Sequence, residues 1–342
     1  MSELIDRLAE LTGQRDRDVL DVTLVGALRD ILGTLSVSIY RCIGDAGQER
    51  WLTRARLVGN AAAAEADAAW FELEDLPKVT EHPVRLSVLR EDRVIAVPGA
   101  THRTLFPVST EREVIGVVEV ETARSMTTRQ RRLVISILRI FRNFQGLLDY
   151  SERDTLTGLL NRKTFDQSFL KATAKLPAPS GTDVDGRRQT QCGTCWLGVI
   201  DIDHFKRVND SFGHLIGDEV LLLLSRLMRG SLRTRDQLYR FGGEEFVALV
   251  RCNGPDSAAL AFERLRGHTE RYAFPQVGHV TVSVGFTEIV AGDTPSGAFE
   301  RADKAVYYAK AHGRNQVQHY AALVARGELE NTEPKANDIE LF

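Results

Sequence analysis

The sequence predicts a mixed α/β protein of two domains joined by a long helix. Three observations carry this. The chain has 342 residues, room for two domains at roughly 100–200 residues each. Strand-like and helix-like runs alternate in both halves. Between the halves, over residues 127–151, apolar residues step by four and three with no strand pattern. Composition sets outer bounds. With 43% hydrophobic and 27% charged residues the chain is globular, not disordered. A net charge of −3 excludes a broadly basic nucleic-acid scaffold. No uncharged apolar run reaches the roughly 20 residues of a membrane span, and the amphipathic, acid-containing N-terminus lacks the apolar core of a signal peptide. Four cysteines, at 42, 192, 195 and 252, are too few for a disulfide framework. The expectation is a soluble, cytoplasmic protein with no membrane span and no nucleic-acid partner.

Residues 1–125 form the first expected domain. Helical spacing covers 20–35, and 36–40, 51–58 and 93–97 read as strands. Runs at 104–109 and 114–121 flank a short charged turn and read as a hairpin. Residues 126–152 form a connecting helix with Thr127 or Thr128 as its N-cap. Its residues Leu133, Ile137, Ile140, Phe144 and Leu147 have coiled-coil spacing. Two readings stand: a helix that pairs with a second copy, or an amphipathic helix packed on its own domain. Residues 153–320 form the second domain, with a Pro- and Gly-rich loop at 175–194. The polar segment 321–342 is an expected disordered tail. Cys192 and Cys195 form a CxxC pair, but no second pair completes a zinc site.

The chemistry concentrates in two places. The apolar run 196–200 reads as a buried strand and ends in Asp201-Ile202-Asp203. Acids at such a strand end are costly unless a cation or metal satisfies them. Farther on, strand-like runs at 238–241 and 245–250 flank Gly242-Gly243, which is hairpin chemistry. Glu244 and Glu245 follow the glycines, and alternation along a strand points them to different sides. Asp201, a backbone carbonyl and Glu244 make a hard oxygen set suited to Mg²⁺ or Mn²⁺. Mg²⁺ held by few carboxylates shares its remaining positions with water and phosphates. This reaches phosphoryl or nucleotidyl transfer on a nucleoside triphosphate and leaves base and product open.

Four motifs in order carry a resemblance: DTLTGLLNR at 154–162, DIDHFKRVNDSFGHLIGD at 201–218, RFGGEEF at 240–246 and ADKAVYYAKAHGRN at 302–315. They resemble the diguanylate cyclase (GGDEF) family in its GGEEF form. The resemblance implies a ferredoxin-like, polymerase-palm-type α+β domain with a central antiparallel sheet. It implies condensation of two GTP into cyclic di-GMP across a homodimer. It implies two Mg²⁺ (or Mn²⁺) ions per site on Asp201, the Ile202 carbonyl, Glu244 and Glu245. Glu244 and Lys206 would be catalytic. Phe205, Asn209, His214, Asp218, Lys310 and Arg314 would bind substrate, with Asn209 and Asp218 reading guanine. Arg233 and Asp236, an RxxD pair, resemble the family's inhibitory product site, and Arg264 would reach such a site from a partner domain. The first 125 residues resemble a GAF domain, a sensory α/β module with an unknown ligand. The alternative is a catalytically inactive cyclic di-GMP receptor.

Overall fold

The computed structural model describes residues 2–44, 46–67, 73–110, 113–173, 194–233 and 236–330. The chain divides into two compact units, Met1–Ser151 and Glu152–Phe342. The N-terminal unit runs α1 (Ser2–Gly13), α2 (Arg17–Leu32), β1 (Ser36–Ile43), β2 (Arg50–Val58), α3 (Pro83–Glu91), β3 (Ile95–Val97), β4 (His102–Ser109), β5 (Val114–Thr122) and α4 (Thr128–Glu152). Asp16 caps α2 by accepting from the Asp18 amide, and Gly33, at φ 60°, ends it. The strands form an antiparallel sheet in the order β2-β1-β5-β4-β3. Alternation along these strands builds a core on each face. Ile39, Phe106 and Val118 join α1, α2 and α4 on one side. Tyr40, Leu105 and Val117 join Trp51, Val79 and Val88 on the other.

The α4 helix starts with reciprocal bonds between Thr127 and Gln130, a capping box. Its inward face is Val134, Ile137, Leu138, Phe141 and Leu148, all buried in the N-terminal core. Leu133 and Phe144 pack partly against that core, while Leu147 is 66% exposed. The helix is therefore a packed part of the N-terminal unit as far as Ser151.

The C-terminal unit continues with β6 (Leu160–Asn161), α5 (Arg162–Thr173), β7 (Thr194–Ile202), α6 (Phe205–Phe212), α7 (His214–Ser231), β8 (Gln237–Gly242), β9 (Glu245–Cys252), α8 (Pro255–Arg271), β10 (Ala273–Phe274), β11 (Gly278–His279), β12 (Val282–Glu288), α9 (Pro295–Ala311), β13 (Val317–His319) and α10 (Tyr320–Ala325). Six strands form one sheet in the order β13-β12-β7-β9-β8-β6. The four inner strands are antiparallel, and the two outer ones run parallel to their neighbours. The expected α+β class with a central antiparallel sheet is what the structure has. Strand β7 is buried from 195 to 202, as its unbroken apolar run requires. Strand β12 lies very close to α9, because a Cβ on Gly285 would fall 2.1 Å from the Ala302 carbonyl oxygen.

The unit extends past residue 320, where the polar tail was expected to begin. Leu323 on α10 is fully buried against Ala305 and Tyr320, and that apolar contact holds the segment. Residues 331–342 lie outside the described residues, as do 174–193 with Cys192. Cys195 is buried on β7, and burial pushes its thiol up to about 11. Among the described residues no helix is long and apolar enough to cross a membrane.

Candidate active site

Strand β7 delivers Asp201 at its own carboxyl end. Its register sets Asp201 opposite Glu245 on β9 and Ser283 on β12. The β8–β9 turn is made by Gly242 at φ 146° and Gly243 at φ 51°, conformations that favour glycine. Arg240 fixes this turn. Its Nε and Nη2 donate to the Gly243 carbonyl at 3.2 and 2.9 Å. Its Nη1 donates to both Asp154 carboxylate oxygens at 3.0 and 3.2 Å. Burial pushes the Asp154 carboxyl up, but bonds from Thr157 and Arg240 outweigh it and hold Asp154 below the usual range. The motif that opens the domain is thus tied to the hairpin that carries Glu244. Sequence reasoning did not single out Asp154 or Arg240; the opposite charges in the two motifs were the available signal.

The two strand-end acids have different fates. Asp203 accepts from the Thr281 and Ser283 hydroxyls, both at 2.7 Å, and from the Asn315 amide at 3.0 Å. It is a buried carboxylate satisfied by neutral donors, and it pins the turn after α9 to the end of β7. Asp201 instead meets Lys310 Nζ at 2.7 Å through Oδ2, while its Oδ1 is buried with no partner. Burial raises the Asp201 carboxyl, and Lys310 pulls it partly back. Glu244 is raised by burial and then by the charge of Asp201. Glu245 is raised by burial, then by Asp201 and Asp303. These acids stand in one another's field.

Among the described residues no group of three or more His, Cys, Asp or Glu side chains is gathered closely enough to hold a metal ion. Lys310 occupies one oxygen of Asp201. The residues nonetheless fit a hard cation. Mg²⁺ asks for only one or two protein carboxylates, and the orphaned Asp201 Oδ1 is an acceptor with nothing to accept.

Around this centre, α6 begins after His204 at φ 58° with no side-chain cap over its amides, an arrangement suited to anions. The Phe205 ring is buried in the core, so its contribution is its backbone amide, and Lys206 beside it is exposed. Asn209 lies against Gly217, where a Cβ would fall 2.0 Å from Asn209 Oδ1. His214 and Asp218 are exposed on α7, four residues apart and so on one face. Arg314 is exposed at φ 63° in the turn after α9. At the RxxD pair, the Arg233 amide donates to Asp236 Oδ2 at 2.8 Å, and the Asp236 amide donates to the Arg233 carbonyl at 2.9 Å. Arg264 Nε donates to the Ser231 carbonyl at 2.6 Å. Within its own chain it thus lies beside this turn.

Fold and site together define a palm-like α+β domain whose central strand end gathers carboxylates beside an open helix terminus. Residues 151–316 match the family described as "Diguanylate cyclase, GGDEF domain", and the C-terminal unit is a GGDEF domain. The chain is 38% identical over 168 residues to "Diguanylate cyclase DgcP" of Pseudomonas aeruginosa, covering 48% of this chain and 23% of that one. It is 39% identical over 163 residues to "Diguanylate cyclase DgcS" of Shewanella oneidensis, covering 47% and 50%. A solved GGDEF domain of DgcB from Caulobacter crescentus, in complex with c-di-GMP, is 31% identical with a TM-score of 0.43, covering 50% of this chain and 96% of that one. The chain spans half or less of the length of these two curated relatives.

Proposed function

We propose that the protein is a diguanylate cyclase that condenses two GTP into cyclic di-GMP and two pyrophosphates. The observation that carries this is Asp201, buried at the end of β7 opposite Glu245, with one oxygen on Lys310 and the other without a partner. Each substrate's 3′-hydroxyl attacks the other's α-phosphorus. The bond to the β-phosphate breaks and pyrophosphate leaves. Because each GGDEF domain holds one GTP, two copies of the chain face each other, and catalysis is largely proximity. Glu244, whose carboxyl is raised by burial and by the charge of Asp201, accepts the hydroxyl proton. The amides of Phe205 and Lys206 cradle phosphate, and the Lys206 ammonium offsets charge that develops on it. Lys310 and Arg314 bind the terminal phosphates. Asn209 and Asp218 read guanine, since a carboxylate accepts from its N1–H and 2-amino group, with His214 beside them. Asp201, the Ile202 carbonyl, Glu244 and Glu245 would hold divalent ions, Mg²⁺ or Mn²⁺, which when bound would supply electrostatic stabilisation of the transferring phosphoryl group. The N-terminal unit acts as a GAF-like sensory domain, a reading supported by its antiparallel sheet flanked by helices. Incubating the chain with GTP and Mg²⁺ and chromatographing the nucleotides tests the proposal. Cyclic di-GMP is the expected product, and binding of cyclic di-GMP without turnover would favour the inactive receptor instead.

The raised carboxyls make a prediction about ion binding. A carboxyl whose folded pKa exceeds its unfolded value binds its proton more tightly when folded. Its contribution to stability is present at low pH and lost as pH rises through the folded value. For Asp201, Glu244 and Glu245 that loss begins above about pH 4, the ordinary carboxylate range, and a bound cation offsets it by displacing the protons. The rise in melting temperature produced by Mg²⁺ is therefore expected to be larger at pH 8 than at pH 5. Equal rises at the two pH values would contradict the ligand assignment.

Product feedback gives a further expectation. Arg233 reads guanine's O6 and N7 edge bidentately, and Asp236 takes the amino group. Arg233→Ala should remove inhibition by added cyclic di-GMP and leave the initial rate unchanged. Initial rates measured against product concentration decide it, and an unaltered inhibition curve removes the feedback site.

A further inference from the structure

The chemistry above leaves unused a cleft of about 310 Å³ in the N-terminal unit. One wall is α4, through Ile135, Leu138, Arg139 and Arg142, positions that share one helical face. The floor is apolar: Phe106 is fully buried, with Val94 and Pro107 beside it. Ile135 is 48% exposed, a branched apolar side chain left in water at the mouth. Neither Arg139 nor Arg142 has an ion-pair partner among the described residues. Across from them Asp92 and Ser109 are hydrogen-bonded to each other at 3.5 Å. The lining therefore carries two cations against one anion, over an apolar base.

We infer that this cleft binds a small amphiphilic monocarboxylate, with its carboxylate on Arg139 and Arg142 and its apolar body over Phe106, Val94 and Leu138. Guanidinium groups match carboxylates in charge and fork geometry. The single acid, Asp92, opposes a second anionic group, which selects a monocarboxylate over a dicarboxylate. The volume lies at the low end of the roughly 300–1,000 Å³ of small-molecule sites, which suits a medium alkyl chain or one aromatic ring. The ligand would rest on the helix that leads to the boundary between the units. The inference stands apart from the cyclase reading, since it uses no residue of the C-terminal unit.

Titration calorimetry of the full chain with decanoate tests it, with decan-1-ol and the dicarboxylate sebacate as comparators. The variants are the double substitution Arg139→Glu with Arg142→Glu, which changes side chains at the surface, and Ile135→Trp, which fills the mouth. Saturable one-site binding of decanoate is expected. It should weaken at least about tenfold in the double variant, as loss of a charge-assisted pair requires, and weaken also in Ile135→Trp. Sebacate and decan-1-ol should bind more weakly than decanoate. Absence of saturable binding, equal binding by the double variant, or sebacate binding as well as decanoate would each overturn the inference. Sedimentation with vesicles of dioleoylphosphatidylglycerol separates a second source of the same chemistry. Arginine-dependent pelleting without binding of free decanoate would assign the pair to a lipid surface and overturn the small-molecule site.

Discussion

Replacing Glu244 by Gln is expected to lower GTP turnover by at least about a thousandfold while the protein stays folded. The substitution keeps the size of the side chain and removes its charge and its basicity. Cation electrostatics supply several kcal/mol in phosphoryl transfer, and each 1.36 kcal/mol is about tenfold in rate. The change also removes one of the mutually repelling acids around Asp201. Melting temperature at pH 8 without divalent ions should therefore rise slightly as activity disappears. That pairing separates a catalytic loss from an unfolding defect. Product formation and thermal melts of the same preparation are the measurements. Turnover equal to that of the parent chain would remove Glu244 from the chemistry, and with it the proposed arrangement of acids.

Gly285→Ala is expected to destabilise the C-terminal unit by at least about 3 kcal/mol, at the upper end of ordinary overpacking costs. The added methyl group would lie 2.1 Å from the Ala302 oxygen, 2.4 Å from the Val306 nitrogen and 2.9 Å from the Ala305 carbonyl carbon. All three are backbone atoms of α9, so no rotamer change relieves them. Either β12 moves off the helix or the helix moves off the sheet. Strand β12 is hydrogen-bonded to both β7 and β13, so a shift there propagates to the end of β7 that carries Asp201. Gly230→Ala is the matched control, because nothing lies within 4 Å of a Cβ at that helical position. Urea midpoints compare the two. With slopes of about 1–3 kcal/mol per molar, Gly285→Ala should lose about 1 M or more and the control should lose nothing. A Gly285→Ala midpoint equal to the control's would show that α9 yields freely.

Much of this was legible in the sequence because it is local. The Gly242-Gly243 turn and the run into Asp201 declare themselves within a few residues, through turn chemistry and an unbroken apolar strand. What could not be read depends on distant partners. Asp201 and Asp203 look equivalent in the sequence. Only the fold brings the Thr281 and Ser283 hydroxyls to one and Lys310 to the other. The α4 helix shows a related ambiguity. Leu133, Ile137, Ile140, Phe144 and Leu147 form an apolar row, but Val134, Ile137, Leu138, Phe141 and Leu148 form another beside it. Both fit a helical period, and only packing against the sheet selects the second. Arg264 was placed by resemblance, whereas its hydrogen bond to the Ser231 carbonyl is set by how α8 packs beside α7.

The bond from the Asn315 amide to Asp203 spans 112 residues of chain. At about 5–20 residues per second on the ribosome, the nascent polypeptide waits on the order of ten seconds between making the acid and making its amide donor. Until then the strand end holds a carboxylate whose donors have not all been synthesised. Translation products that stop short of residue 315 thus leave this corner unfinished.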